Sequence, residues 1–183
     1  MTTVTATVTA TALCVPLDEV GVADVDRVGG KAATLGELRR AGFPVPPGMV
    51  LTTAALDAAL AGAEPTSTAV RDLPLPDTVT GALVEALAAL TGTGGGPVAV
   101  RSSGVAEDLA DRSFAGQYTS RLDVTGPADV ADAVRECWSS AYDERVRAYV
   151  AAGAPEAAGR MAVLIQASRQ AMYRVARLMA AIP

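Results

Sequence analysis

The stretch "VGGKAATLGELRRAGFPVPPG", Val28 to Gly48, decides the class of fold because it predicts a helix, a stop and a connector in immediate succession. Apolar residues recur there at helical spacing, at Ala32, Leu35, Leu38 and Ala41. Gly42 is typical of a helix C-terminus, and the prolines that follow stiffen the chain and favour extended backbone. The segment therefore predicts a short helix that begins at Gly-Gly-Lys and is followed by a strand.

The same alternation continues along the chain. Segments of strand length and apolar character are Ala12–Leu17, Met49–Thr53, Val98–Val100, Thr119–Val124 and Met161–Gln166. Helical patterns run from a Thr53 cap to Leu60, from Thr78 to Leu90, and onward from Pro127, whereas "AEPTSTAVRDLPLPD" predicts a loop. Strands that alternate with helices predict an α/β or α+β class with a mixed sheet and flanking helices.

Composition and charge exclude several classes of protein. The chain has 183 residues, a net charge of -5 and a pI near 4.7, which argues against a general nucleic-acid binder. No apolar stretch reaches the ~18 residues that would indicate a membrane span, and the opening segment lacks a basic signal-peptide region. We therefore expect a cytoplasmic protein without a membrane partner.

The chemistry available to the chain is narrow because it has no histidine and two cysteines, Cys14 and Cys137, that lie far apart. A Cys/His catalytic pair and a usual zinc site are excluded. The commonest general base is also missing. Carboxylates, arginines, the lysine or a bound metal must carry any chemistry.

Lys31 is the only lysine, beside fourteen arginines, and it directly follows Gly29 and Gly30. Amides at a helix N-terminus, a favourable helix dipole and an adjacent cation are the requirements of a phosphate site. The segment is not a Walker A loop, since Val25 and Ala32 stand where that motif has a glycine and a hydroxyl. Taken alone, the segment is better interpreted as a glycine turn with a solvated lysine.

A second candidate is "VAVRSSGVAEDLADRSFAGQ", Val98 to Gln117. A strand that ends on Arg101 would present a guanidinium, and Ser113, Ala115 and Gly116 would let backbone amides surround an oxyanion. The alternative is an exposed arginine and an ordinary loop. Its carboxylates, at Glu107, Asp108 and Asp111, are interpreted as a solvated acidic turn.

The two segments, followed in order by "RECWSSAYDERVRAY" and "MAVLIQ", resemble the N-terminal ATP-grasp region of pyruvate phosphate dikinase and phosphoenolpyruvate synthase, which rifampicin phosphotransferases share. The resemblance covers about Val15 to Gln166. It implies an ATP-binding lobe of a kinase-type phosphotransferase, with Lys31 and Arg101 on the phosphates. It also implies further ATP-binding residues, namely Ser113, Ala115, Gly116 and Gln117 in a closing loop, Ser120 near the phosphates, and Gln166 at the adenine hinge.

The resemblance divides the chain into a weakly ordered leader (residues 1–14), an ATP-grasp N-terminal lobe (15–166) and a divergent tail (167–183) with a short amphipathic helix. It implies Mg²⁺, but the family's metal ligands lie in a second lobe with no counterpart here, and no catalytic residue is identified. We expect an ATP-binding lobe that is incomplete as a catalyst alone, partnered by ATP and by a separate polypeptide carrying the missing lobes. The alternatives are a non-catalytic interaction module or a gene fragment with a vestigial nucleotide site.

Overall fold

The computed structural model describes residues 12–63, 65–92, 95–105, 119–144, 146 and 159–168. The strands in this part of the chain are β1 (Cys14–Pro16), β2 (Gly48–Leu51), β3 (Val98–Gly104), β4 (Ser120–Val124) and β5 (Met161–Ala167). The α-helices are α1 (Val25–Arg40), α2 (Thr53–Leu60), α3 (Ser67–Arg71), α4 (Asp77–Thr91) and α5 (Pro127–Ser140). Two 3-10 turns, Leu17–Glu19 and Val22–Asp24, lead from β1 into α1.

The five strands form one sheet in the order β1-β2-β5-β3-β4. Every neighbouring pair is antiparallel; Val50 of β2 lies opposite Leu164 of β5, and Val100 of β3 lies opposite Ile165. The α+β class with flanking helices is confirmed, but the pairing is antiparallel where a mixed sheet was expected. The reason is the position of β5, which lies between β2 and β3, two strands that run in the same direction and would otherwise pair in parallel.

Each face of the sheet buries its own cluster of apolar side chains. One cluster joins α2, α4 and α5 to the sheet and contains Trp138, whose side chain is fully buried. The indole Nε1 of Trp138 has no hydrogen-bond partner among the described residues. The other cluster lies under α1 and includes Val28, Ala32 and Leu164. Among the described α-helices, α1 is the one that packs on this face.

Three local predictions from the sequence need correction. Strand β3 does not end at Arg101 but continues to Gly104, since Ser102 and Ser103 pair with β5. The predicted loop before α4 contains α3, whose first turn is capped by the Thr66 hydroxyl accepting from the Ala69 amide at 3.1 Å. Thr53 is the first residue of α2, and its cap is Thr52. The Thr52 hydroxyl donates to the Ala12 carbonyl at 2.8 Å, which ties the start of α2 to the segment just before β1.

Within the described ranges no helix combines the length and the apolar character needed to cross a bilayer. Most of the leader (residues 1–11) and most of the tail (169–183) lie outside these ranges.

Candidate functional site

Helix α1 is kinked at Gly29, where the backbone adopts φ 74° and ψ 162°. A Cβ atom at this position would overlap the backbone carbonyl of Ser103 in β3. Glycine is therefore required for α1 and β3 to approach one another, and the positive φ reinforces the requirement. The second, longer part of α1 begins at Gly30, which places Lys31 in its first turn.

The start of this second part is capped by a residue from a distant part of the chain. The Ala32 amide donates to the Ser103 hydroxyl at 3.0 Å, and the Gly29 and Gly30 residues are buried. The amide that directly follows Gly-Gly-Lys, that of Ala32, is thus already bonded to a protein hydroxyl. The Gly-Gly step positions the helix against the sheet.

Lys31 contacts β3 one residue away from that cap. Its Nζ donates to the Ser102 carbonyl at 2.7 Å. On the same residue, the Ser102 amide and hydroxyl both donate to the Thr119 carbonyl, at 3.2 Å and 3.0 Å, next to the start of β4. Lys31 is therefore held at the end of the β3–β4 ladder and is not simply solvated. An ammonium group has three N–H donors, and the Ser102 carbonyl takes one of them.

Arg101 lies in the middle of β3 and lines an open cavity of about 560 Å³. Its Nε is buried and has no hydrogen-bond partner among the described residues. A buried cationic donor without an acceptor is costly, so it marks a place where an anion would be bound favourably. Ser120 of β4 lies directly opposite Arg101 in the sheet and is exposed, so these two predicted residues share one face.

Gln166 lines the same cavity from β5 and is 5% exposed. Its Nε2 donates to the Pro46 carbonyl at 3.2 Å, while an Arg39 guanidinium nitrogen donates to the Val45 carbonyl at 2.5 Å. These two bonds fix the proline-rich connector as one wall of the cavity. The wall is preformed, because proline restricts its own backbone and that of the residue before it.

The sequence missed the apolar walls of the cavity, which are Leu35 of α1, Pro44 and Val45 of the connector, and Leu122 of β4. Leu122 is 66% exposed, so the cavity remains open on this side. Leu35 was predicted only as part of the buried helix face. The alternation of β4, which puts Leu122 on the same face as Ser120, was the available signal.

Four predicted ATP-binding residues, Ser113, Ala115, Gly116 and Gln117, lie outside the described residues, as do the carboxylates Glu107, Asp108 and Asp111. The structure brings Arg101, Gln166 and Ser120 to one side of the sheet and ties Lys31 to the residue that follows Arg101.

Neither a metal centre nor a reactive thiol emerges from the described part of the chain. No group of three or more His, Cys, Asp or Glu side chains in that part is arranged to hold a metal ion. Burial raises the pKa of the Cys14 thiol and of the Cys137 thiol to about 12 each. Both cysteines are therefore protonated and weakly nucleophilic at neutral pH.

Arg101 is thus the cation of the described residues that lines the open cavity, while Lys31 is bonded to the carbonyl of the next residue in β3. Comparison with known proteins gives the family of the chain. Residues 61–174, more than half of the chain, match the family described as pyruvate phosphate dikinase, AMP/ATP-binding domain. The chain belongs to this family. The resemblance inferred from the motifs is confirmed.

Phosphoenolpyruvate synthases and rifampicin phosphotransferases are among the curated proteins that this chain is similar to. A probable phosphoenolpyruvate synthase of Methanothermobacter thermautotrophicus is 36% identical over 160 positions, which cover 72% of this chain and 23% of that protein. A rifampicin phosphotransferase of a Streptomyces species is 38% identical over 163 positions, covering 75% of this chain and 19% of that protein. A phosphoenolpyruvate synthase of Aeropyrum pernix is 36% identical over 162 positions, covering 73% and 20%. The chain thus spans about a fifth of the length of these relatives.

Proposed function

We propose that this chain binds ATP on the open face of its sheet, as the first lobe of an ATP-grasp site. The observation that carries the proposal is Arg101, which lines the cavity and whose buried Nε has no acceptor among the described residues. A phosphate oxygen would supply that acceptor, and a guanidinium binds phosphate through two parallel hydrogen bonds. The match to an AMP/ATP-binding domain family supports the same ligand.

In this proposal the two cations, Arg101 and Lys31, contact different phosphates of the triphosphate. Arg101 holds one phosphate from the floor of the cavity, and Lys31, fixed to the Ser102 carbonyl, holds another as a point charge. Ser120 offers a hydroxyl beside Arg101. The apolar cavity between the connector and β4, with Gln166 as part of its wall, receives the base. The loop of Ser113 to Gln117 closes over the phosphates, as the resemblance implies.

We further propose that residues 1–183 alone bind ATP without catalysing phosphoryl transfer. Transfer requires cations around the developing charge and an acceptor held in line. The described residues contain no group of ligands for a metal ion, and a chain without histidine cannot form a phosphohistidine. A kinase-type transferase activity would then need a second lobe that covers the open face. The free thiols fit a cytoplasmic location.

Calorimetric titration with ATP and Mg²⁺ tests the proposal. The unaltered chain should bind ATP, and Lys31→Ala should weaken binding by roughly 1–3 kcal/mol, the usual range for a charge-assisted hydrogen bond. Arg71→Ala is the matched control, since Arg71 is an exposed cation of α3, which packs against α5 on the other face of the sheet, and should leave the affinity unchanged.

The same titration distinguishes the alternatives. No detectable ATP binding by the unaltered chain would indicate a vestigial site and favour a non-catalytic interaction module or a gene fragment. Equal affinity of the unaltered chain and Lys31→Ala would leave ATP binding in place but remove Lys31 from the site.

A further inference from the structure

Three consecutive residues of β3, from Arg101 to Ser103, include one cation of the proposed site and contact the helical turn that carries the other. Arg101 lines the cavity, the Ser102 carbonyl accepts from Lys31 Nζ at 2.7 Å, and the Ser103 hydroxyl accepts from the Ala32 amide at 3.0 Å. Because a strand fixes the spacing of consecutive residues, these contacts fix the position of Lys31 relative to Arg101.

The role of Ser103 follows from the kink in α1. The second part of the helix begins after Gly29, whose non-helical backbone makes it the capping position. A capping residue normally supplies a side-chain oxygen to the amide two or three residues further on, which here belongs to Ala32. Glycine has no such oxygen, and none would fit, because a Cβ at Gly29 would overlap Ser103. Ser103 supplies the oxygen from β3 instead.

We propose that Ser103 is a positioning residue for Lys31. Its hydroxyl serves as the N-cap of the second part of α1 from a distant point in the same chain, and it holds the first turn of that part against β3. The proposal rests on ATP binding at the site described above. Ser103 is fully buried, and its hydroxyl is engaged by Ala32, the residue directly after Lys31. Ser103 therefore acts on the nucleotide through Lys31 and does not touch it.

The proposal predicts a selective loss of phosphate affinity in Ser103→Ala. Without the cap, the turn that carries Lys31 loosens, and the ammonium loses its fixed distance from Arg101. Affinity for ATP should fall about 5- to 20-fold, whereas affinity for adenosine, which has no phosphate, should stay unchanged. Ser139→Ala is the matched control, because Ser139 is a buried serine whose hydroxyl donates to the Glu136 carbonyl within α5.

A double-mutant cycle isolates the path through Lys31. If Ser103 acts through the lysine, Ser103→Ala should cause no further loss of ATP affinity in a Lys31→Ala background. A full additional loss in that background, or an equal loss of ATP and adenosine affinity in the single variant, would reduce Ser103 to a structural residue. Unchanged ATP affinity in Ser103→Ala would overturn the proposal directly.

Hydrogen exchange gives a readout that does not depend on nucleotide. Removing the cap should speed exchange of the Ala32 amide in the ligand-free protein, with little change in α5. Unchanged exchange of the Ala32 amide would overturn the capping role of Ser103 and would leave ATP binding intact. If the unaltered chain does not bind ATP, the proposed function on which this role depends is itself wrong. If Ser103→Ala does not fold, Ser103→Cys takes its place, since it keeps the side-chain size and replaces the oxygen by a weak acceptor.

Discussion

Lys31 and Arg101 carry charges of the same sign in different surroundings. Lys31 is half-buried and bonded to the Ser102 carbonyl, so part of its donor capacity serves the protein. The Nε of Arg101 is buried without an acceptor among the described residues. If phosphate binds as proposed, Arg101 would gain more from it than Lys31, because the ligand would remove an existing desolvation cost.

Arg101→Lys should weaken ATP binding by roughly 1–3 kcal/mol although it keeps the positive charge. An ammonium cannot reproduce the bidentate contact of a guanidinium with phosphate. The lysine head group is also smaller and would leave part of the space taken by the guanidinium empty. Titration with ATP measures the effect, and Arg71→Lys is the conservative control. An Arg101→Lys variant with unaltered affinity would assign Arg101 to the structure of β3 alone.

The residues of the site differ in how far the sequence could predict them. Arg101 was predicted because a guanidinium followed by two serines after an apolar strand is a local pattern. Ser103 was not predicted as the cap of α1, since its partner Ala32 lies 71 residues away and no local pattern records that contact.

Among the elements, α1 is the one whose form depends most on a single position. It runs from Val25 to Arg40, but the backbone at Gly29 is not helical, so its two parts meet at the surface of β3. Two independent constraints act at Gly29, a positive φ and the Ser103 backbone in the space of a Cβ.

Gly29→Ala should therefore destabilise the protein by more than about 2 kcal/mol, since it adds strain in a glycine-only region of backbone and an overlap with β3. Gly42→Ala is the matched control, because Gly42 also has a positive φ, 86°, but has nothing within 4 Å of a Cβ. It should cost about 1–2 kcal/mol from the backbone alone. Denaturant unfolding measures the loss of unfolding free energy in both variants. Equal losses would show that the overlap with Ser103 is relieved without a measurable loss of stability.

Elements with strong local signals were predicted well, and elements defined by distant contacts were not. The helix predicted from Thr78 to Leu90 is α4, Asp77–Thr91, and the strand predicted over Met161–Gln166 is β5. The antiparallel order of the sheet was missed because β5 inserts between two strands that precede it in sequence, which no period in the chain encodes. Helix α3 has five residues, too few for a clear apolar period.

At the scale of the whole molecule, both thiols link stability to pH. Burial raises the folded-state pKa of Cys14 and Cys137 from 9.0 to about 12, so the unfolded chain loses these protons first. The contribution of the thiols to stability is complete below about pH 9 and is lost as pH rises toward 12.

The free energy of unfolding should accordingly fall above about pH 9, and Cys137→Ser should show a shallower fall because a hydroxyl does not ionise in this range. Denaturant unfolding at a series of pH values, in the presence of a reductant, measures both slopes. Parallel slopes for the two proteins would mean that the Cys137 thiol titrates normally in the folded state.

The chain by itself should not transfer phosphate from ATP. Incubation of residues 1–183 with γ- and β-labelled ATP and Mg²⁺ should give no labelled protein and no hydrolysis above a Lys31→Ala control, because binding one side of a triphosphate supplies only part of the required stabilisation. Turnover that copurifies with the chain and disappears in Lys31→Ala would contradict this expectation.

The position of Trp138, the single tryptophan, gives the molecule a built-in optical probe. Its indole lies in the cluster under α2, α4 and α5, across the sheet from the face that carries the cavity. Its fluorescence should follow loss of that core without direct quenching by a ligand on the other face. A denaturation curve read at Trp138 with and without ATP would thus report affinity through stability alone, with about 2.7 kcal/mol of added stability at 100 times the dissociation constant.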